Sequence, residues 1–254
     1  MRKLRRIIKS VVWLSAAVGA LAFVRERFEN VENDHQPYGL YEKYIKRPMD
    51  AFLSSGALIV LSPVLLVAAA LVRFRLGTPV LFSQKRPGRD GKLFKLYKFR
   101  SMTDARDGVG KLLPDDDRLT PFGRALRSTS IDELPELLNI VKGDMSVVGP
   151  RPLLTEYLPY YTETERQRHD VRPGLSGLAQ VHGRNTITWE EKFAKDLEYV
   201  RRITFMGDMK IIFQTIIKTV KRSDIRVGKE HVAGRLDKVR SLQEGEQSNE
   251  CVVK

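Results

Sequence analysis

Cysteine is nearly absent from this chain: the single one among 254 residues is Cys251, so neither an internal disulfide nor a cysteine-based zinc site can form. Histidine is scarce as well, with four scattered residues and no metal-ligand spacing among them. Aromatic residues make up only 8%, and 31 acids face 44 bases. Neither a Walker A sequence nor Gly-x-Gly-x-x-Gly occurs, which excludes the two ordinary nucleotide cradles. What remains is a chain suited to a reducing, cytosol-facing environment, with a net charge of +13 and 42% hydrophobic residues. That is enough to bury one good core but not two full domains. The charge calls for an anionic partner: nucleic acid, an anionic bilayer, or a phosphate-rich small molecule.

Apolar length is the first positive feature. Ala51 to Val72 runs for twenty-two residues without a charge, which as one helix would reach about 33 Å and cross a bilayer. Ser62-Pro63 interrupts the run, and proline removes a backbone donor and clashes with the preceding turn, so a kink is expected there. Lys43, Lys46 and Arg47 precede the run, and Arg73, Arg75, Lys85, Arg86 and Arg89 follow it, so both ends are expected on the cytoplasmic face. The expectation is a re-entrant helix, break and helix, with Ser62 bonding a carbonyl freed by Pro63. A buried core helix of a soluble protein is the alternative. A second apolar stretch, Val11 to Val24, follows five bases and has a signal-peptide look. Ala22-Phe23-Val24-Arg25 is a poor cleavage site, however, so the stretch reads as a retained element that lies at the interface or crosses it.

The rest divides simply. Residues 1–40 form a basic and hydrophobic extension with a linker, 41–76 the re-entrant membrane helix, 77–222 a cytosolic domain with interfacial amphipathic helices, and 223–254 a polar, aperiodic tail expected to be mobile. Val80 to Arg86 and Leu93 to Met102 read as strands around an Arg89-Asp90-Gly91-Lys92 turn. Alternation puts Phe94, Leu96, Lys98 and Arg100 on one face and Lys95, Tyr97 and Phe99 on the other. Seven bases between Lys85 and Arg100 face only Asp90, which makes either a ligand patch or a solvated or lipid-facing strand. Helical segments are expected at Pro121 to Arg127, Ile131 to Val141 and Leu153 to Arg168. Trp189, Phe193, Leu197 and Val200 recur at helical spacing, as do Met209, Ile212, Phe213, Ile216, Ile217 and Val220; the second stripe suits either a core or anionic lipid. The fold class is therefore α+β, predominantly helical with a small β-hairpin, held at the membrane by the broken helix.

Chemistry centres on Ser130-Ile131-Asp132-Glu133. Ser130 and Glu133 have capping-box spacing, which would place Asp132 and Glu133 in a first helical turn. Acids there are what the helix dipole favours in any case. Such a terminus also binds phosphate and keeps a carboxylate ionised, able to attack phosphorus or hold a metal. Arg127 stands just upstream. Arg151 is locked between Pro150 and Pro152, and Arg172 and Arg184 also sit on tight loops; three such guanidinium groups suit a diphosphate, although the first is equally a rigid connector. Asp115-Asp116-Asp117 imitates a metal motif but follows Pro114 as a solvated turn would.

Taken in order, Lys46-Arg47-Pro48-Met49-Asp50, the Ser62-Pro63 break, Gln84-Lys85-Arg86-Pro87-Gly88, Lys98-Phe99-Arg100-Ser101-Met102, Arg127 with Asp132-Glu133, Lys142-Gly143-Asp144-Met145-Ser146, Gly149-Pro150-Arg151-Pro152 and Arg172-Pro173-Gly174 resemble the bacterial sugar transferases, the monotopic phosphoglycosyl transferases. The resemblance runs from about Tyr41 to Arg222. It implies transfer of a sugar 1-phosphate from a UDP-sugar to undecaprenyl phosphate on the cytoplasmic face of the bacterial inner membrane, with UMP released and Mg2+ required. It implies Asp132 as the nucleophile of an aspartyl-phosphosugar intermediate and Glu133 as its dyad partner in metal binding or proton handling. Lys98, Arg100, Arg127, Arg151 and Arg184 are implied phosphate and substrate contacts, and Asp208 is a further family position. Inner-leaflet lipids and downstream glycosyltransferases are implied partners. Through Gly183-Arg184-Asn185 and Tyr41-Glu42-Lys43, the likeness is closest to single-domain members that make undecaprenyl-linked diacetylbacillosamine, which implies UDP-diNAcBac or another UDP-N-acetylated sugar as donor.

Three other classes make different demands. A soluble nucleic-acid-binding protein leaves the uncharged Ala51 to Val72 run without a purpose. A non-catalytic membrane scaffold of a glycan assembly complex would not need Asp132. A glycosyltransferase that moves sugar without its phosphate would release UDP.

Overall fold

The computed structural model describes residues 2–28, 35–183, 186–221 and 234–242. A long helix, α1 (Arg2–Phe28), comes first; a single π-helical turn, Tyr41–Ile45, then leads into α2 (Lys46–Val60) and α3 (Ser62–Leu76). The last two are bent by 64° at Leu61. Pro63 has no N–H to offer the carbonyl of Ile59 four residues back, and Ser62 Oγ donates to that oxygen at 2.8 Å. Among the described residues no single helix is long and apolar enough to cross a membrane, whereas this bent pair meets the requirement of length and composition together. Small residues let α1 lie close along α2: a side-chain carbon at Gly19 would come 3.1 Å from the Pro48 carbonyl.

The hairpin follows as β1 (Leu81–Pro87) and β2 (Leu93–Phe99), antiparallel with Leu81 opposite Phe99 and Pro87 opposite Leu93. Its turn uses two positive φ angles, at Asp90 and Gly91. Next come α4 (Asp115–Arg118), α5 (Pro121–Ser128) capped by Thr120 Oγ1, and α6 (Glu136–Lys142). β3 (Ser146–Val148) then leads to α7 (Glu163–Arg166), β4 (Gly174–Ser176), α8 (Leu178–His182), α9 (Trp189–Arg201) and α10 (Phe205–Lys221). β3 and β4 form a second, parallel pair that the sequence reading did not contain.

Packing ties the bent helices to the rest. Ala68 and Val72 of α3 share a buried cluster with Phe99 and Leu126, so both faces of β2 are covered at that end. Ala57 and Leu58 of α2 pack on Leu96, Leu137, Ile140 and Met145. Full burial of Val72 alone stabilises by about 1.5–3 kcal/mol, and with the partly buried contacts of α2 this ties both helices to the core. Asn139 of α6 is fully buried and serves the open edge of β2: Nδ2 donates to Lys95 O at 2.7 Å, and Oδ1 accepts from Tyr97 N at 3.1 Å.

Several expectations need correction. Ser130 and Glu133 form no capping box. Ser130 takes a left-handed conformation (φ 55°) and makes no side-chain cap bond. Its N–H is already bonded to Arg127 O, so nothing remains for Glu133 to accept. Ile131–Glu133 is instead a 3-10 turn ahead of α6. The continuous helix expected over Leu153 to Arg168 is instead a 3-10 segment (Thr155–Tyr160) with Pro159 inside it, an extended step at Tyr161 and Thr162, α7 and a further 3-10 turn (Gln167–His169). The α9 stripe is buried as its spacing predicts. The α10 stripe divides, with Ile211 buried while Phe213 and Ile216 stay exposed. Within the stretch expected as a tail, residues 236–242 are helical and Leu236 is fully buried among Leu153, Tyr157, Tyr161, Trp189 and Phe193.

Candidate active site

A cavity of about 780 Å³ brings together Lys98, Arg100, Arg127, Asp132, Glu133 and Arg151. They come from four places in the chain: β2 and its exit, the end of α5, the 3-10 turn before α6, and the loop after β3. Lys98 is on the same face of β2 as Leu96, as the strand alternation requires, and Arg127 ends α5. Asp132 and Glu133 occupy the 3-10 turn, where Glu133 N bonds Ser130 O. Arg151 is fixed by a close backbone crossing: β carbons at Gly149 or Gly174 would lie 2.4 Å from Arg172 O and 2.0 Å from Gly149 N respectively, so only glycines let these loops meet.

The two adjacent acids are held differently, and their pKa values move in opposite directions. Oε1 of Glu133 accepts from Lys98 Nζ at 2.8 Å and from Arg151 Nη2 at 2.5 Å. Burial works against ionisation of Glu133, but the Arg151 and Lys98 charges outweigh it and hold the carboxyl far below the usual range. Asp132, 7% exposed, has no hydrogen bond or ion pair among the described residues and lines the cavity. Burial first, and the Glu133 charge second, push it up to about 6; Lys98, Arg127 and Arg151 pull the other way. Its carboxylate is thus ionised near neutrality, uncommitted, and faced by cations, which are the properties of a nucleophile.

The remaining predicted residues differ in role. Arg127 spends Nε on Ser101 Oγ at 2.9 Å and keeps its two terminal nitrogens unbonded among the described residues. Arg100 lines the cavity but is occupied: its nitrogens donate to Met102 O, to Thr78 O and to Asp104 at 3.0, 2.6 and 2.6 Å. It therefore pins the exit of β2. Arg172 is not brought to the cavity, since its Nε bonds Gly143 O. Arg184 lies outside the described residues. Asp115 reaches the cavity wall already paired with Arg118.

One residue was missed from sequence, Glu136, and for another, Asp208, the sequence supplied the position but not its partners. Glu136, 2% exposed, lies 3.1 Å from Lys98 Nζ and is raised to about 7, by burial first and the Glu133 charge next. A lone acid in an apolar helix, three residues after Glu133, is the signal that marks it. The other residue forms the junction of the bent helices with α10: Asp208, 1% exposed, accepts from Lys46 Nζ at 2.6 Å and from the hydroxyls of Tyr41 and Tyr199 at 2.8 and 2.9 Å. Its partners are up to 167 residues away in sequence, and no local pattern reports such a contact.

Magnesium takes one or two carboxylates, with waters and substrate phosphates completing its octahedron. Among the described residues no group of three or more His, Cys, Asp or Glu gathers around one point, so there is no all-protein cage. The Asp132 carboxylate and Oε2 of Glu133, which has no protein partner among the described residues, are the two-carboxylate kind. The residues therefore fit an ion carried on a diphosphate.

A family model described as Bacterial sugar transferase matches residues 41–222. Over 182 residues the chain is 51% identical to the uncharacterized sugar transferase EpsL of Bacillus subtilis (strain 168), covering 72% of this chain and 90% of that protein. It is 43% identical over 196 residues to the exopolysaccharide production protein PSS of Rhizobium leguminosarum bv. phaseoli, covering 70% and 96%. The UDP-glucose:undecaprenyl-phosphate glucose-1-phosphate transferase of Klebsiella pneumoniae is 43% identical over 183 residues, covering 68% of this chain and 39% of that longer protein. With a cavity of paired acids and cations inside the matched region, the chain is a transferase enzyme and belongs to the bacterial sugar transferase family.

Proposed function

We propose that the protein transfers a sugar 1-phosphate from a UDP-sugar to undecaprenyl phosphate, releasing UMP, and so initiates assembly of a lipid-linked glycan at the inner face of the bacterial membrane. The observation that carries this reading is the contrast between Asp132 and Glu133: one buried carboxylate left uncommitted at a cation-lined cavity, beside another fully engaged by Lys98 and Arg151. Names of relatives supply the acceptor and the donor class.

In the first half-reaction an Oδ of Asp132 attacks the β-phosphorus of the donor. The bond from that phosphorus to the bridging oxygen breaks, and UMP leaves with the bond's electron pair. Lys98, Arg127 and Arg151 offset the charge gathering on the phosphoryl oxygens. In the second, a phosphate oxygen of undecaprenyl phosphate attacks the phosphorus of the aspartyl phosphosugar; the bond to Asp132 breaks, the carboxylate is regenerated, and the undecaprenyl diphosphosugar departs. Glu133 keeps Lys98 and Arg151 aimed at the diphosphate. Magnesium, held by Asp132 and Oε2 of Glu133, would supply Lewis-acid neutralisation of the diphosphate.

The exposed apolar side chains of α3, such as Leu66 and Phe74 (85% exposed), and of α10, such as Met206 and Phe213, support seating at a bilayer surface where the acceptor's lipid tail resides. The bend at Ser62-Pro63 supports a re-entrant course. Nucleotide release by detergent-solubilised protein, given undecaprenyl phosphate, magnesium and UDP-glucose, UDP-galactose or UDP-diacetylbacillosamine, tests the reading and selects the sugar. UMP release abolished by Asp132→Asn is expected. UDP release, or UMP release that survives the substitution, overturns it, and silence with every sugar favours the scaffold reading.

A further inference from the structure

The family match ends at residue 222, yet residues 234–242 return to the catalytic domain. Three contacts hold them there. Leu236 is fully buried in the cluster of Leu153, Tyr157, Trp189 and Phe193. The Gly234 carbonyl accepts from Trp189 Nε1 at 3.2 Å. The Arg240 guanidinium meets both oxygens of Glu165 at 2.7 and 2.6 Å and also bonds the Tyr160 carbonyl. This docking has a consequence at the active site, because Arg235, next to the Leu236 anchor, lines the same cavity as Asp132. Its guanidinium is oriented by Asp237, at 3.1 and 2.9 Å, and lies 3.8 Å from Glu156, another residue of the cavity wall. The same cavity is also lined by Leu153, Leu154, Gln180 and Lys192, a mixture of apolar and hydrogen-bonding groups suited to a nucleoside or a sugar ring.

Resting on the sugar-nucleotide reading above, we propose that residues 234–242 are a strap that completes the donor cavity, with Arg235 contacting the bound UDP-sugar. A guanidinium placed at a cavity rim and steadied by one carboxylate retains N–H groups for phosphate or hydroxyl oxygens. The match to the family leaves this segment out, so the strap adds a donor contact that residues 41–222 do not contain.

The test is calorimetric binding of UDP and of UDP-glucose to the full chain in detergent, for the unaltered protein, Arg235→Ala, Asp237→Ala and Leu236→Asp, with thermal unfolding midpoints alongside. Arg235→Ala is expected to weaken binding of one or both nucleotides about tenfold. Asp237→Ala keeps the guanidinium but removes the carboxylate that orients it, so it is expected to weaken binding by less than Arg235→Ala does, about threefold. Leu236→Asp, which undocks the strap, should weaken binding as Arg235→Ala does. Equal weakening by Arg235→Ala and Asp237→Ala would assign the effect to the ion pair and overturn the proposal, as would unchanged binding by Arg235→Ala. No binding of either nucleotide by the unaltered protein would instead overturn the sugar-nucleotide reading, and the strap's role with it.

Discussion

Asp132 titrates at about 6 because it is buried and because Glu133 stands beside it, and this sets the acid side of the rate profile. Only the ionised carboxylate attacks phosphorus. With a pKa of about 6, roughly nine-tenths is ionised at pH 7 and roughly one-tenth at pH 5, so kcat/KM for the donor should fall about tenfold over that interval. The donor half-reaction is the right one to measure, since a nucleoside diphosphosugar has no phosphate proton to lose in this range, whereas the acceptor is a monoester that titrates near 6. Rapid-quench measurement of UMP formed before acceptor is added isolates it. Glu133→Gln removes the like charge and releases Lys98 and Arg151 from their partner, and both changes lower the Asp132 pKa. At an effective dielectric of about 20, like charges roughly 6–8 Å apart repel by about 2–3 kcal/mol, so the acid limb should move down by about one pH unit or more. The rate itself should drop. An acid limb that stays in place or moves up in Glu133→Gln would refute the assignment of that limb to Asp132.

Other predictions concern stability and topology. Lys98→Met leaves Glu136 unpaired and Glu133 with Arg151 alone, and should destabilise the protein by about 3–5 kcal/mol in denaturant titration; a loss under 1 kcal/mol would show that Lys98 compensates neither acid. Glu136 is raised from 4.5 to about 7, so the folded state keeps a proton that the unfolded chain has lost, and stability falls as pH climbs through that window. Glu136→Gln should flatten this fall and be worth about 3 kcal/mol more at pH 8 than at pH 4, relative to the unaltered protein; a parallel pair of stability curves would contradict it. Ser62→Ala with Pro63→Leu restores the helical bond to Ile59 O and should straighten α2 and α3 into one span. In a Cys251→Ser background a Thr78→Cys reporter then becomes labelled from the opposite side of the membrane, and unchanged sidedness would show that charge flanks and packing, not the break, fix the course of the chain.

How much of this was legible in sequence depended on the range of the interaction. Period-two alternation grouped Lys98 with Leu96 on one face of its strand without saying which way that face turns, helical spacing found the buried face of α9, and the Ser62-Pro63 break rested on two adjacent residues. The site residues came from motif order. Where local signals competed, the reading failed: Ser130 has cap chemistry, but the Arg127 carbonyl had already taken its N–H, and the extended step at Tyr161 and Thr162 divided a segment whose apolar spacing looked continuous. Charge alone did not separate Arg100, which clamps the backbone, from Arg127, which keeps free donors, because that difference is set by carbonyls at Thr78 and Met102. The Asp208 junction and the docking of Leu236 depend on partners far along the chain, and polarity of the intervening residues concealed the second.

Asn139 gives the catalytic charges a shared ruler. By bonding the backbone at Lys95 and Tyr97, it fixes which residue of β2 sits against α6, and Lys98 follows one position later. Glu136 stands three residues before Asn139 on the same helix turn. A slip of one residue would turn Lys98 to the opposite face and strand both acids. Residues 93–142 therefore behave as one cassette in any recombination between family members: a hairpin grafted without its α6 would bring a lysine cut to a different register.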